Sequence, residues 1–213
     1  MKKHILCFGD SNTHGYCADP TNCADGGNRF NENERWTCLL QKFLGNKYLV
    51  IEEGLGGRTT VFDDPYHKGL SGLDYISSCI LTHEPIDMLI IMLGTNDTKA
   101  RFNASAPCIG LGLQRLIIEA KATFAEIGAD PYILVISPPH IHKELNDPYM
   151  GDGCAEKSCK LAKYYEAVCN ENKCLFLDAE GIAEFNDKDH MHLSKKGHFD
   201  LATKLCETVS KLI

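Results

Sequence analysis

Long apolar runs are missing from this chain: nowhere in its 213 residues does one approach the roughly 18–20 positions a membrane-spanning helix needs. Positive charge is scarce too. Lys and Arg number 22 against 29 Asp and Glu, a net charge of −7, where a nucleic-acid-binding surface calls for clustered cations and a basic balance. At the N-terminus Lys2-Lys3 is followed only by Ile5-Leu6-Cys7-Phe8 before Gly9-Asp10, too short for a secretory h-region. The expectation is a cytoplasmic protein that engages neither membrane nor nucleic acid. Tightly spaced cysteine pairs are absent although cysteines number 11. Cys154/Cys159 and Cys169/Cys174 stand too far apart for a zinc knuckle, so no metal is expected there. Without a leader the thiols are expected reduced, with Cys7, Cys79 and Cys206 acting as small hydrophobes. No repeat, low-complexity tract or linker-like shift divides the sequence, and residues 1–213 read as one domain. Self-association into a homo-oligomer is left open.

What is present is an alternation of short apolar runs with helical patterns. Strands are expected at 4–8, 48–52, 87–93, 132–136 and 174–177. Met88-Leu89-Ile90-Ile91-Met92-Leu93 and Tyr132-Ile133-Leu134-Val135-Ile136 are continuous rather than alternating, as strands buried on both faces are. Segment 107–128 opens with Pro107, carries Ile109, Leu113, Leu116, Ile117, Ala120, Phe124 and Ile127 on one stripe, and meets a stop at Gly128. The last helix is expected to start at a Ser194 cap and to bury Phe199, Ala202, Leu205, Cys206, Val209 and Leu212. Such alternation implies a parallel sheet with right-handed crossovers, an α/β fold. The loops at 17–34 and 54–69 are long and rich in Gly, Asn and Asp, as functional loops often are.

Polar motifs follow the strands. Gly9-Asp10-Ser11-Asn12 ends the first, Gly56-Gly57 the second, Gly94-Thr95-Asn96-Asp97 the third, Ser137-Pro138-Pro139-His140 the fourth, and Asp189-His190-Met191-His192 lies beyond the fifth. Open α/β sheets bind ligands at these carboxyl ends. A serine cannot attack an ester at neutral pH without a base to take its proton and a third group to orient that base. Ser11, His192 and Asp189 have those chemistries. An acyl-transfer site also needs donors for the oxyanion, and the N–H groups of Ser11 and Gly57 with the Asn96 amide are suited to the task.

The ordered blocks Gly-Asp-Ser, Gly57, Gly-x-Asn-Asp and Asp-x-x-His, spanning residues 9–192, resemble the SGNH (GDSL-type) hydrolases. Glu52-Glu53-Gly54-Leu55, Arg58-Thr59-Thr60, Asp63-Asp64-Pro65 and Ile90 to Lys99 are similar to the bacterial arylesterase/acyltransferase branch, whose members cleave small esters and can pass the acyl group to alcohols or peroxide. The resemblance implies a flavodoxin-like three-layer α/β/α fold, with a five-stranded parallel sheet in the order 2-1-3-4-5. It also implies Ser11 as nucleophile, His192 as base, Asp189 as its orienter, Gly57 and Asn96 as oxyanion donors, and no cofactor. Around the nucleophile this chain has Asn12, His14 and Tyr16, where some relatives carry large apolar residues; Asn12 and Tyr16 are expected to contact substrate. A small short-acyl ester is the expected substrate, an acetylated sugar being the alternative within the same fold.

Other residues have plainer readings. Asp10 and Asp97 are expected to brace turns, and Trp36 to join the core with Leu39, Leu40 and Phe43. Arg58 is expected to hold its loop through a carboxylate or to touch substrate. His198 is expected to face solvent or to lie against the last helix, and His140 and His142 to lie on a loop surface. Two rival functions stand beside the esterase. One is a metal-dependent hydrolase built from Asp187, Asp189, His190, His192 and His198. The other is a flavodoxin-like phosphate-binding module using the Ser11–Gly15 loop, which lacks the Gly-rich Lys-Ser/Thr pattern of phosphate cradles. The G-x-S-x-G elbow of α/β-hydrolases is absent around Ser11.

Overall fold

A computed structural model describes residues 2–213. In chain order the elements are β1 (Lys3–Gly9), α1 (Ser11–His14), α2 (Trp36–Leu44), β2 (Tyr48–Gly54), α3 (Gly72–His83), β3 (Met88–Met92), α4 (Ala106–Glu126), β4 (Tyr132–Ser137), α5 (Cys154–Ser158), α6 (Leu161–Glu171), β5 (Leu175–Asp178) and α7 (Lys195–Val209). The five strands form one sheet in the order β2-β1-β3-β4-β5, and each pairing is parallel. That is the expected flavodoxin-like α/β architecture.

Alternation along the strands divides the core in two. Leu6, Phe8, Leu89, Ile91, Ile133 and Val135 face α3, α4 and α6. Ile5, Cys7, Met88, Ile90, Met92, Leu134 and Ile136 face α2 and α7. All five residues of β3 are buried, because neighbouring strands flank it and both faces are covered. The long helix α4 begins where Ser105 accepts from Cys108 N, with Pro107 in its first turn.

The last helix departs from the expected stripe. Ser194 caps it by accepting from Gly197 N at 2.9 Å, but His198 is fully buried while Phe199 is 52% exposed. The reason lies in another element. His198 Nδ1 accepts the N–H of Trp36 at 3.2 Å, one of the first-turn donors that a helix leaves unpaired. Turning His198 inward to meet it turns Phe199 out, edge-on against Phe43. Cys206 and Leu212 are correspondingly only half-buried.

One glycine positions the site directly. A Cβ on Gly9 would lie 2.0 Å from Thr13 Oγ1 and 2.8 Å from the Met92 carbonyl, so only glycine lets β1 run straight into the turn that carries Ser11.

Candidate active site

Asp10 caps the single turn α1, its Oδ1 accepting from Asn12 N at 2.8 Å, which is the bracing role expected of it. The cap presents Ser11 at the carboxyl end of β1. From 181 residues away His192 comes to meet it, Nε2 standing 2.8 Å from Ser11 Oγ. On the far side of the imidazole, Nδ1 is 2.6 Å from Asp189 Oδ2. Serine, histidine and aspartate thus form one chain of hydrogen bonds.

The Asp189–His192 loop is held from within. Asp189 Oδ1 accepts from Asn186 Nδ2, Met191 N and His192 N at 3.0, 3.3 and 3.2 Å. Asn186 adds a bond from Nδ2 to the His192 carbonyl at 2.8 Å, and its Oδ1 accepts from Asp189 N. His190 takes a left-handed conformation, φ +63°, uncommon for a residue with a Cβ. Burial works against the Asp189 carboxylate, yet the bond and charge of His192, with the Met191 and Asn186 donors, outweigh it and hold its pKa below the usual range.

The other expected donors arrive from neighbouring strand ends. Gly57 adopts φ +85°, a backbone state glycine reaches without strain. Among the described residues neither Ser11 N nor Gly57 N donates to a backbone acceptor. The Asn96 amide joins the two segments: Nδ2 is 3.2 Å from the Arg58 carbonyl, just after Gly57, and 3.4 Å from Asp10 Oδ2, just before Ser11. Beneath lie two buried carboxyls. Burial pushes Asp10 up to about 6 against the Asn12 N–H and the charges of His192, Lys99 and Arg58. Burial likewise pushes Asp97 up to about 6, opposed by its bonds from Thr60 and reinforced by Asp10.

Three expectations change. Asn12 is not presented to a ligand: Nδ2 donates to the Met191 carbonyl at 3.2 Å and Oδ1 accepts from Leu193 N at 2.8 Å. Its amide ties the serine turn to the histidine loop, and the side chain is buried. Arg58 holds its loop through the Gly9 and Glu53 carbonyls rather than a carboxylate, with its guanidinium 4.2 Å over the Phe8 ring. The metal-ligand set imagined around Asp189 is dispersed. His192 faces Ser11, His198 faces Trp36, and His190 Nδ1 lies 3.4 Å from His142 Nδ1. Among the described residues the one group of three donor side chains close enough to share a metal is Glu53, Cys79 and His83, outside the Ser11 site. Tyr16 keeps a place at the site, its ring 4.5 Å from that of His192.

Residues 7–198 match the model of the GDSL-like lipase/acylhydrolase family. The chain belongs to that family. As a GDSL-like acylhydrolase it is a carboxylic ester hydrolase. Its structure is similar to the native aryl esterase of M. smegmatis, at 38% identity and TM-score 0.90 over 99% of this chain and 100% of that one. It is also similar to Est24, a carbohydrate acetylesterase from Sinorhizobium meliloti, at 33% identity and TM-score 0.90 over the whole of both chains. No curated protein sequence matches it.

One residue of this GDSL-like site escaped the sequence reading. Asn186 organises the Asp189 loop, its Oδ1 accepting from Lys188 N, two residues on, at 2.8 Å, in the Asx turn that an Asn at such a position can signal.

Proposed function

We propose that this enzyme is a serine esterase acting on small, short-acyl carboxylic esters through an acyl-enzyme. The observation that carries the reading is the continuous relay Ser11 Oγ–His192 Nε2 and His192 Nδ1–Asp189 Oδ2, at 2.8 and 2.6 Å. In this reading His192 takes the Ser11 proton as Oγ attacks the ester carbonyl, and Asp189 holds the imidazole in the tautomer that accepts at Nε2. The tetrahedral oxyanion is received by Ser11 N, Gly57 N and the Asn96 amide. Asn96 keeps one N–H on the Arg58 carbonyl, and the other, only weakly engaged by Asp10 at 3.4 Å, turns to the oxyanion. The imidazolium then protonates the departing alcohol, and water resolves the acyl-enzyme by the reverse steps. An acceptor alcohol in place of water gives acyl transfer.

The similar aryl esterase and carbohydrate acetylesterase support acetyl-type esters of phenols or sugars as the substrate range. No helix among the described residues is long and apolar enough to cross a membrane, and all eleven cysteines are free; free thiols support the cytoplasm as the site of action. The test is Ser11→Ala with 4-nitrophenyl acetate. Turnover should fall by about 10³-fold or more with the melting temperature preserved, and a fluorophosphonate should label Ser11 in the wild type alone. A variant retaining half its rate, or a label at another serine, would remove Ser11 from the role.

A further inference from the structure

The edge strand β2 carries two carboxylates in succession, and alternation along a strand sends them to opposite faces of the sheet. Glu52, on the α2 face, is answered in full. Arg35 donates to it from Nε at 2.7 Å and Nη2 at 2.8 Å, and the Thr37 hydroxyl adds a third bond. Glu53, on the α3 face, has no such partner. Arg58 is close by, but its Nη1 donates to the Gly9 and Glu53 carbonyls, and its guanidinium lies against the Phe8 and Tyr75 rings. The Glu53 carboxylate meets instead His83 Nε2 at 2.7 Å and, more loosely, the Tyr75 hydroxyl at 3.4 Å.

A thiol completes the group. Cys79 and His83 stand four residues apart in α3 and share one face of the helix. That face brings the Cys79 sulfur, a His83 nitrogen and a Glu53 oxygen within 4.8 Å of one another. Sulfur, nitrogen and oxygen are the donor set of zinc, whose bonds of about 2.0–2.3 Å place tetrahedral ligands about 3.5 Å apart. Shifts of about 1 Å at the side-chain tips close the set. An ordinary ion pair would account for Glu53 and His83 alone. It is a weak answer beside Arg35 on Glu52, because an imidazole is a cation only when protonated, and it leaves the thiol unexplained.

Charge and access agree with a bound cation. Thiolate, carboxylate and neutral imidazole balance a divalent ion, and the C-terminal end of α3, where His83 lies, attracts positive charge. Cys79 is fully buried, whereas the side chains of His83 and Glu53 are 26% and 19% exposed, which gives the ion a way in from solvent. Three protein ligands leave a fourth position for water. The Tyr75 hydroxyl on Glu53 is an outer partner of the kind that orients a ligand. Burial, reinforced by Glu53, pushes the Cys79 thiol up to about 12 against Arg58 and Tyr75. Coordination replaces its S–H bond by a sulfur–metal bond, and the proton leaves to water.

We propose that Glu53, Cys79 and His83 form a zinc site, separate from the Ser11 site, that ties α3 to the edge strand β2. It goes beyond the esterase reading, and no step of ester cleavage passes through it. The Glu53 carbonyl receives Arg58, whose own carbonyl receives the Asn96 amide, so the ion braces the strand end from which the Gly57 loop departs.

Cobalt(II) is the probe, because it occupies the tetrahedral sites of zinc and a thiolate ligand gives it an intense near-ultraviolet charge-transfer band. The reduced protein, stripped of metal by a chelator, should develop that band to saturation at a single equivalent. Zinc should then displace the cobalt, being the more tightly bound of the two. Cys79→Ser should abolish the band, and His83→Gln and Glu53→Gln should each weaken binding by about tenfold or more. Cys38→Ser removes the thiol 3.5 Å from Glu52 Oε1, where no histidine joins the pair, and should leave binding unchanged. Zinc should also raise the melting temperature of the wild type but not that of His83→Gln. His83 is partly exposed, so its variant keeps the test decisive if Cys79→Ser does not fold. The proposal is overturned if cobalt gives no saturable thiolate band, or if the band survives Cys79→Ser. It is equally overturned if His83→Gln binds within about twofold of wild type, or if zinc stabilises that variant as much as the wild type.

Discussion

Tyr16 lays its ring against the imidazole of His192, with centroids 4.5 Å apart and planes tilted by 49°. The contact falls on the histidine that links Ser11 to Asp189, so Tyr16 packs against a ring already held at both nitrogens and limits its swing. Pre-organisation of this kind is worth large factors in rate, because a small misplacement of a reacting group is costly.

Tyr16→Ala should therefore lower kcat by about 10–100-fold, while Tyr16→Phe, which keeps the ring, should stay close to wild type. Steady-state kinetics with 4-nitrophenyl acetate check this. A large rise in KM with unchanged kcat in Tyr16→Ala would instead make the ring a substrate contact.

Asn12 joins the two halves of the site by its amide, with Met191 on one end and Leu193 on the other. Asn12→Ala leaves the buried Leu193 N–H unanswered and the part-buried Met191 carbonyl without its donor, and should cost about 1–3 kcal/mol of stability, with a loss of kcat as the His192 loop loosens. Asn12→Asp retains the acceptor for Leu193 N and removes the donor to Met191, so it should fall between. Melting curves beside kcat decide the matter. An alanine variant of unchanged stability and altered KM alone would return Asn12 to the substrate.

Asn96 is engaged by Arg58 and Asp10 in the unliganded protein, which admits either an oxyanion donor or a mere tie between loops. As a donor, Asn96→Ala should lower kcat by about 10²–10³-fold with little change in KM. Asn96→Asp should be at least as harmful, since it sets a carboxylate beside the developing charge. Stability loss with near-normal turnover of the folded fraction would mark the tie alone.

His198 bears on acid stability. Burial, with the charge of His192, pushes its pKa down to about 3, against about 6.5 for an ordinary imidazole. Between those values the unfolded chain binds a proton that the folded one refuses. Stability from this group is thus complete above about pH 6.5 and is lost as pH falls toward 3, at up to about 1.4 kcal/mol per unit. His198→Asn keeps an acceptor where Nδ1 meets Trp36 N and removes the titration. The melting temperature of the wild type should fall more steeply from pH 7 to about 4 than that of the variant; parallel curves would show that His198 plays no such part.

The sequence by itself determined the strands, their order of appearance and the polar blocks at their ends. These are local matters: a strand covered on both faces must be apolar at each position, as β3 is, and a turn that admits no Cβ must be glycine, as at Gly9. Tertiary structure decided whatever depends on a partner far along the chain. His198 rather than Phe199 turns inward because of Trp36, 162 residues earlier. Asn12 is a brace rather than a substrate contact because of Met191 and Leu193, 179 and 181 residues later. Arg58 found carbonyls where a carboxylate was expected, and Asp64 came to be shared by Arg101 and Lys99, 37 and 35 residues later. A hydrogen bond is directional and short-ranged, so residue type and spacing along the chain leave its partner unspecified until the loops meet in space.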